Sequence, residues 1–323
     1  DWDFGADMGD EARAVAGQSA LAGQLGDVPT AMIPVRDQIL VFACANRMWA
    51  LRGDPTTGTM ERVSEEWGVI APEAWATTPD GLLAFLSNDG VYLWNTQFGS
   101  APIRFSEERA PEQLRNISAT TNMITMAYDP VGRGFHLFIT PASGDGTHWW
   151  LDIDNKAMWP VVFQTAHQPF AAVRNEGTGL SDIVLGCKDG YLRKFDVDND
   201  DDGSDIESHV LIGPIRIAAD DVRDALLAEI HGIMADNASD VTWRIVQADS
   251  AEESVDNAIA DINTVLGGGA ASNVEASGTW SSGRNLVARP RSRGMWVTVW
   301  LSATTAWAYE AVMLVSRQLG RVR

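Results

Sequence analysis

The chain has 323 residues, 44 acidic and 24 basic side chains, a formal net charge of −20 and 45 % hydrophobic residues. That apolar share excludes a disordered acidic tail. The longest apolar runs, such as Ile39–Ala45, fall far short of the ~20 residues a membrane-spanning helix needs, so no membrane span is expected. Two isolated cysteines, Cys44 and Cys187, exclude a disulfide framework or zinc ribbon, and the five scattered histidines have no metal-ligand spacing.

Asp1-Trp2-Asp3 is no basic leader, and a start without Met reads as the inside of a longer gene. Residues 1–30 are small and polar and read as an N-terminal arm, with Glu11–Leu25 as either a short helix or a surface segment. Residues 31–205 change to short apolar runs and turns. Three segments there resemble one another: Ile39–Trp49, Leu82–Tyr92 and Ile183–Leu192. Superimposed, they align Cys44 with Ser87 and Cys187, and Asn46 with Asp89 and Asp189. Arg47 then falls with Gly90 and Gly190. Each reads as strand, two-residue turn, strand, with Asp-Gly as a hairpin signal that expects positive φ at both turn residues. A looser copy starts at Met123. A unit of roughly 40–60 residues built from hairpins points to β-propeller-like blades; a β-sandwich with similar hairpins is the other reading.

Residues 206–323 read as a β-rich part with one helix. Asp240–Gln247 alternates as a strand. Ser250 and Glu253 form a capping box for a helix over about 250–262, with Val255, Ile259 and Ile262 as its buried face. Met295–Ser302 alternates again, with Trp307–Val315 as its expected hairpin partner across Ala303–Ala306.

The acidic run Asp196–Glu207 holds seven acids and no base. Asp198, Asp200 and Asp202 before Gly203 match the first half of a calcium loop, so Ca2+ is the one cofactor this stretch suggests. His209 stands where an EF-hand needs its final Glu, which favours a solvated acidic hairpin tip. The Cys and Asp of the repeated hairpins read as a small buried group and a turn former, so no catalytic residue is assigned. GxSxG, P-loop and dinucleotide patterns are absent from the sequence. Its last forty residues carry Arg284, Arg289, Arg291, Arg293, Arg317, Arg321 and Arg323 against Glu310 alone, a charge of +6, which leaves −26 over residues 1–283. Such a patch contacts either phosphate or an acidic neighbouring subunit, and the second reading is favoured.

The segments Cys44–Pro55, Ala84–Tyr92, Val210–Ile217, Gly278–Asn285 and Arg289–Gly294 together resemble tailed-phage neck and tail structural proteins. The overall design is similar to the propeller-bearing tail nozzle and DNA-stabilisation (tail hub) proteins of short-tailed phages. The resemblance is motif-level over about residues 28–323 and includes no catalytic motif; nozzle proteins are usually longer. It implies a virion protein, made in the host bacterial cytoplasm. Copies of itself in a ring would surround the DNA channel for genome retention and ejection. Its neighbours would be an adaptor or other tail proteins, and DNA would pass the lumen without sequence-specific binding. A distal tail or baseplate host-recognition protein and a propeller glycosidase or lyase are the alternative classes.

Overall fold

Runs of β-branched and aromatic residues interrupted by Gly, Pro, Asn or Asp favour strands over helices. The computed structural model is accordingly mainly β, with α1 (Ala251–Leu266) as the one α-helix among the described residues. It describes residues 4–5, 14–15, 27–54, 58–97, 99–107, 112–177, 180–195, 200–220 and 223–322. The chain divides into two compact units, Asp1–Val197 and Asp198–Arg323. In the first, β1 (Phe4–Gly5) pairs antiparallel with β2 (Ala14–Val15), so Ala14 and Val15 lie in a strand. The rest of the arm and of the candidate helix Glu11–Leu25 lies outside the described residues.

Four antiparallel meanders follow, each with its strands in chain order. The first is β3 (Pro29–Arg36), β4 (Ile39–Cys44), β5 (Met48–Arg52) and β6 (Thr59–Ser64). The second is β7 (Trp75–Thr77), β8 (Leu82–Ser87), β9 (Gly90–Asn95) and β10 (Ile103–Arg104). The third is β11 (Asn122–Asp129), β12 (Gly134–Pro141), β13 (Thr147–Asp152) and β14 (Ala157–Val161). The fourth has three strands, β15 (Pro169–Gly177), β16 (Leu180–Cys187) and β17 (Leu192–Phe195). Their first residues, 29, 75, 122 and 169, are 46 or 47 positions apart, a period inside the expected one. This is the blade-like repetition that the hairpins signal.

The repeated hairpins are β4–β5, β8–β9 and β16–β17, as the alignment requires. Cys44 pairs with Arg47 and Ser87 with Gly90, while the third turn is one residue longer: Cys187 N donates to Tyr191 O, and Gly190 N donates to Cys187 O. Cys44, Ser87 and Cys187 are all buried at the end of the second strand. Two details differ. The looser copy at Met123 is the β11–β12 hairpin, which joins the first and second strands of its meander rather than the second and third. The equivalent hairpin, β12–β13, carries Ser143-Gly-Asp145-Gly146-Thr-His-Trp-Trp150 beside Ser87-Asn-Asp89-Gly90-Val-Tyr-Leu-Trp94. Its loop is longer, since Ile139 pairs with Thr147, and that insertion hides the match. The other difference is local. Asp89 and Asp189 are not among the residues with positive φ, whereas Gly90 (144°) and Gly190 (83°) are. These turns therefore place glycine after the two central residues and do not need both of those at positive φ.

Consecutive meanders pack face to face. One core joins Ile33, Val41 and Ala43 with Leu83, Phe85 and Trp94, and these with Ile124, Phe135 and Leu137. A smaller one, Ala127, Phe138, Ile183, Leu185 and Cys187, joins the third meander to the fourth. The second strands of the second and third meanders, β8 and β12, are therefore buried on both sides: Leu83, Ala84, Phe85 and Leu86 have no exposed surface. The first strands approach one another, with Glu73 beside β7 bridging Thr125 in parallel and accepting from Met126 N at 3.0 Å. His136 and His148 lie buried against the fourth meander, ringed by Phe138, Trp150, Phe163 and Phe195. None of their ring nitrogens has a hydrogen-bond partner among the described residues. Burial holds both imidazoles neutral and lowers each pKa to about 4.

The second unit starts with the hairpin β18 (Asp200–Asp201) and β19 (Ser204–Asp205). Two sheets and a helix make up the rest. One sheet has the order β20 (Ser208–Arg216), β26 (Trp296–Ala303), β22 (Val241–Ala248), β23 (Val274–Trp280). The other is centred on β21 (Arg223–Met234). On one side of β21 lie β24 (Gly283–Arg284) and β25 (Ser292–Gly294); on the other lies β27 (Tyr309–Val322). Val241, Ile245, Val297, Val299 and Leu301 of the first sheet share a core with Leu227, Ile230, Met234, Val312 and Leu314 of the second. The expected hairpin of Trp307–Val315 with Met295–Ser302 does not form. Both edges of β26 are taken by β20 and β22, so the chain crosses to the other sheet and β27 pairs with β21.

Ser250 caps α1 as expected, its Oγ accepting from Glu253 N at 3.1 Å. The helix runs to Leu266, beyond the expected end near Ile262, and its face is turned. Ser254, Ala258 and Asp261 are buried, while Ile259 is 45 % exposed. The surface beneath is polar and close, with Thr298 Oγ1 2.8 Å from Ser254 Oγ, so small side chains fit there. Asp261 accepts from the amides of Ser272 (3.0 Å) and Asn273 (2.8 Å) and so fastens the loop after the helix.

Two predictions follow from these cores. An unfolded histidine takes up protons near pH 6.5, whereas buried His136 and His148 take them up only near 4. Stability is therefore full above about pH 6.5 and falls as pH drops through that window. The melting midpoint should decline from pH 7 to pH 4.5, and less steeply in the double variant His136→Phe/His148→Phe. In the second unit, a Cβ on Gly232 would lie 2.3 Å from the buried Trp280 ring. Gly232→Ala should cost about 1–3 kcal/mol, read as a midpoint several degrees lower.

Candidate functional site

The arginines that the sequence singles out do not lie together at random. β24 and β25 bring Arg284 and Arg293 along one edge of β21, and β27 brings Arg317 along the other. Its inward residues Ala225, Leu227, Ile230 and Met234 are buried, and the alternate positions Leu226, Glu229, His231 and Ile233 are half-exposed. Register places Leu226 between Arg293 and Arg317, and Ile233 between Arg284 and Ala311. Glu229 stands opposite Val315, and His231 opposite Met313. The outward face of this sheet is thus mixed: on β21, Leu226 and Ile233 flank Glu229 and His231, Met313 (48 % exposed) and Val315 (41 %) lie on β27, and arginines stand opposite Leu226 and Ile233. Leu286 (93 %) and Val287 (41 %) are exposed in the segment between β24 and β25.

Part of the basic charge is matched within the unit. Arg293 Nη2 lies 3.5 Å from Asp224 Oδ2, and Arg289 Nε lies 3.6 Å from Glu229 Oε1. His231 Nε2 lies 3.8 Å from the other oxygen of Glu229. Arg284, Arg291 and Arg317 are exposed and have no ion-pair partner among the described residues. Arg291 sits in the loop before β25 with φ 56°. Arg321 lies on β27; its side chain and all of Arg323 lie outside the described residues. Exposed apolar side chains interspersed with arginine fit the composition of protein-binding surfaces. Of the aromatic residues of this stretch, Trp280 and Trp300 are buried, Trp296 is half-buried beside Arg216, and Trp307 donates to Ser208 Oγ at 2.6 Å and stacks on the exposed Tyr309.

What the sequence reading missed is the apolar half of the face. Leu226, Ile233, Met313 and Val315 become one surface only because β27 pairs with β21. Period-two alternation over residues 309–317 was the available signal, and it does not name a partner strand.

Asp198 lies outside the described residues. Asp200 and Asp202 belong to the β18–β19 hairpin, where Asp202 (φ 52°) and Gly203 (φ 85°) both adopt positive φ. Here the Asp-Gly turn has the form expected for the repeats. Asp200 Oδ1 accepts from Gly203 N at 2.8 Å, so its carboxylate closes its own turn. Among the described residues no group of three His, Cys, Asp or Glu side chains is placed to hold a metal ion.

In the first unit the repeated turn residues are used structurally. Asp89 accepts from Tyr92 Oη at 2.8 Å, and Asp189 pairs with Arg193 at 2.8 Å and accepts from Tyr191 N. Turns of neighbouring meanders are tied together. Asn88 Nδ2 donates to Asn46 Oδ1 at 3.0 Å, and Lys188 Nζ donates to Gly144 O at 2.7 Å. Burial raises the Cys44 thiol, which keeps it protonated.

No protein-family model matches the chain, and no curated protein matches it in sequence. No helix among the described residues is long and apolar enough to cross a membrane.

Because Asp200 already caps its own turn, the melting midpoint should agree within about one degree in millimolar calcium and in EGTA. A rise of several degrees with calcium, lost in Asp202→Asn, would assign the cation to this hairpin.

Proposed function

We propose that this chain is a virion structural protein of a tailed-phage neck or tail nozzle, several copies of which ring the DNA channel. The observation that carries this reading is the division of labour between its parts. Blade-like meanders with a 46–47-residue period form an acid-rich body, and an exposed arginine-margined sheet face lies in the C-terminal unit. An acidic lumen suits a conduit, because like charge keeps DNA from adhering while it is held and then ejected. The basic face suits contact with a neighbouring subunit or an adaptor. The turn residues that recur from meander to meander are spent on turns and on ties between meanders, which supports a scaffold over an enzyme. The motif-level likeness to short-tailed-phage nozzle and tail hub proteins supports the same reading.

Mass spectrometry of purified virions from a producing lysate should find this chain in several copies per particle. Its absence from particles that contain the other tail proteins would overturn the proposal.

A further inference from the structure

The exposed face of β21, β25 and β27 has a charge pattern that restricts what can cover it. It exposes Met313 and Val315 on β27 and holds Leu226 and Ile233 half-buried on β21, on either side of Glu229 and His231; Arg293 and Arg317 stand opposite Leu226, Arg284 stands opposite Ile233, and Arg289 lies against Glu229. Among the described residues, Arg289 and Arg293 of these have acidic partners in the unit, Glu229 and Asp224. A half-exposed apolar strip of this kind gains from being covered, and the arginines around it need anionic neighbours once water is excluded. Its arginines without an ion-pair partner disfavour the face as its own partner, because opposed like charges cost several kcal/mol. The complementary surface is abundant in the same molecule: residues 1–283 carry a net charge of −26.

We infer that this arginine-margined face docks onto an acidic surface of a second copy of the same chain, in a head-to-tail contact. A contact between two different surfaces of identical subunits propagates in one direction, and it closes into a ring when the rotation between copies permits. The face thus supplies the directional joint of an oligomer. The inference deepens the proposed ring assembly and rests on that reading for its biological setting, but it concerns self-association of the purified chain.

Sedimentation velocity on the full chain tests it. The wild-type protein should form oligomers at tens of micromolar, with an apparent Kd that weakens at least about tenfold between about 50 mM and about 500 mM NaCl. Arg284→Glu/Arg317→Glu should abolish association while keeping the circular dichroism spectrum and melting midpoint of the wild type. Arg62→Glu, an exposed arginine of the first unit, should associate as the wild type does. A photo-crosslinker at Met313 should attach to an acid-bearing surface of the second copy. A wild-type monomer at about 100 μM in low salt overturns the inference, as does undiminished association of the double variant. Crosslinks from Met313 to the same face of its partner also overturn it. So does a monomer that binds a short DNA duplex through Arg284 and Arg317, which would make the face a phosphate-contacting surface. Oligomers that pass these tests, from a chain absent from virions, uphold the joint and overturn the phage setting. A monomeric, salt-indifferent chain present in virions does the reverse.

Discussion

A meander of three or four strands has two faces, and in this chain both tend to be apolar, so each sheet is stable only when its neighbour covers it. That constraint organises the first unit. Leu83, Ala84, Phe85 and Leu86 point alternately to opposite sides of β8, yet all four are removed from water. The same holds for Phe135 through Ile139 on β12. The near-constant period of the meanders follows: each repeat must present the same depth of sheet to the next. The ties between turns, Asn88 to Asn46 and Lys188 to Gly144, keep neighbouring meanders in step at that rim.

The second unit meets the same need differently. One sheet is covered on both sides, by α1 and by the β21 sheet, while within this unit the described residues cover the β21 sheet on one side. Its outer face is the place where apolar side chains and arginines meet solvent. Both units carry net negative charge, and within the second the basic residues concentrate in its last forty positions.

Hairpins and blade period were legible because they are local: a turn residue and its flanking strands sit within a dozen positions. The β12–β13 hairpin was not, since its longer loop shifts Ser143-Gly-Asp-Gly out of alignment with Ser87-Asn-Asp-Gly. The helix was legible at its start, where Ser250 and Glu253 act within one turn. Its buried face was not, because the surface beneath it is built by β20, β22 and β26, two of which lie some forty residues away. The arginines of the C-terminal stretch could be named from sequence, but Leu226 and Ile233, which complete their surface, could not. Pairing of β27 with β21 instead of β26 is decided by which strand edges remain vacant, and local alternation carries no record of that.

The two units also differ in how far apart in the chain their partners lie. Each meander is knitted from adjacent hairpins, so the first unit is able to form sheet by sheet as it leaves the ribosome. In the second, Ser208 pairs with Ala303, and Arg223 pairs with Val322. Neither sheet of that unit is complete until the last strands have been synthesised. The β21–β27 face therefore forms only after the strands of the first unit have been synthesised. The late arrival of one strand would keep nascent chains from joining prematurely on a polysome.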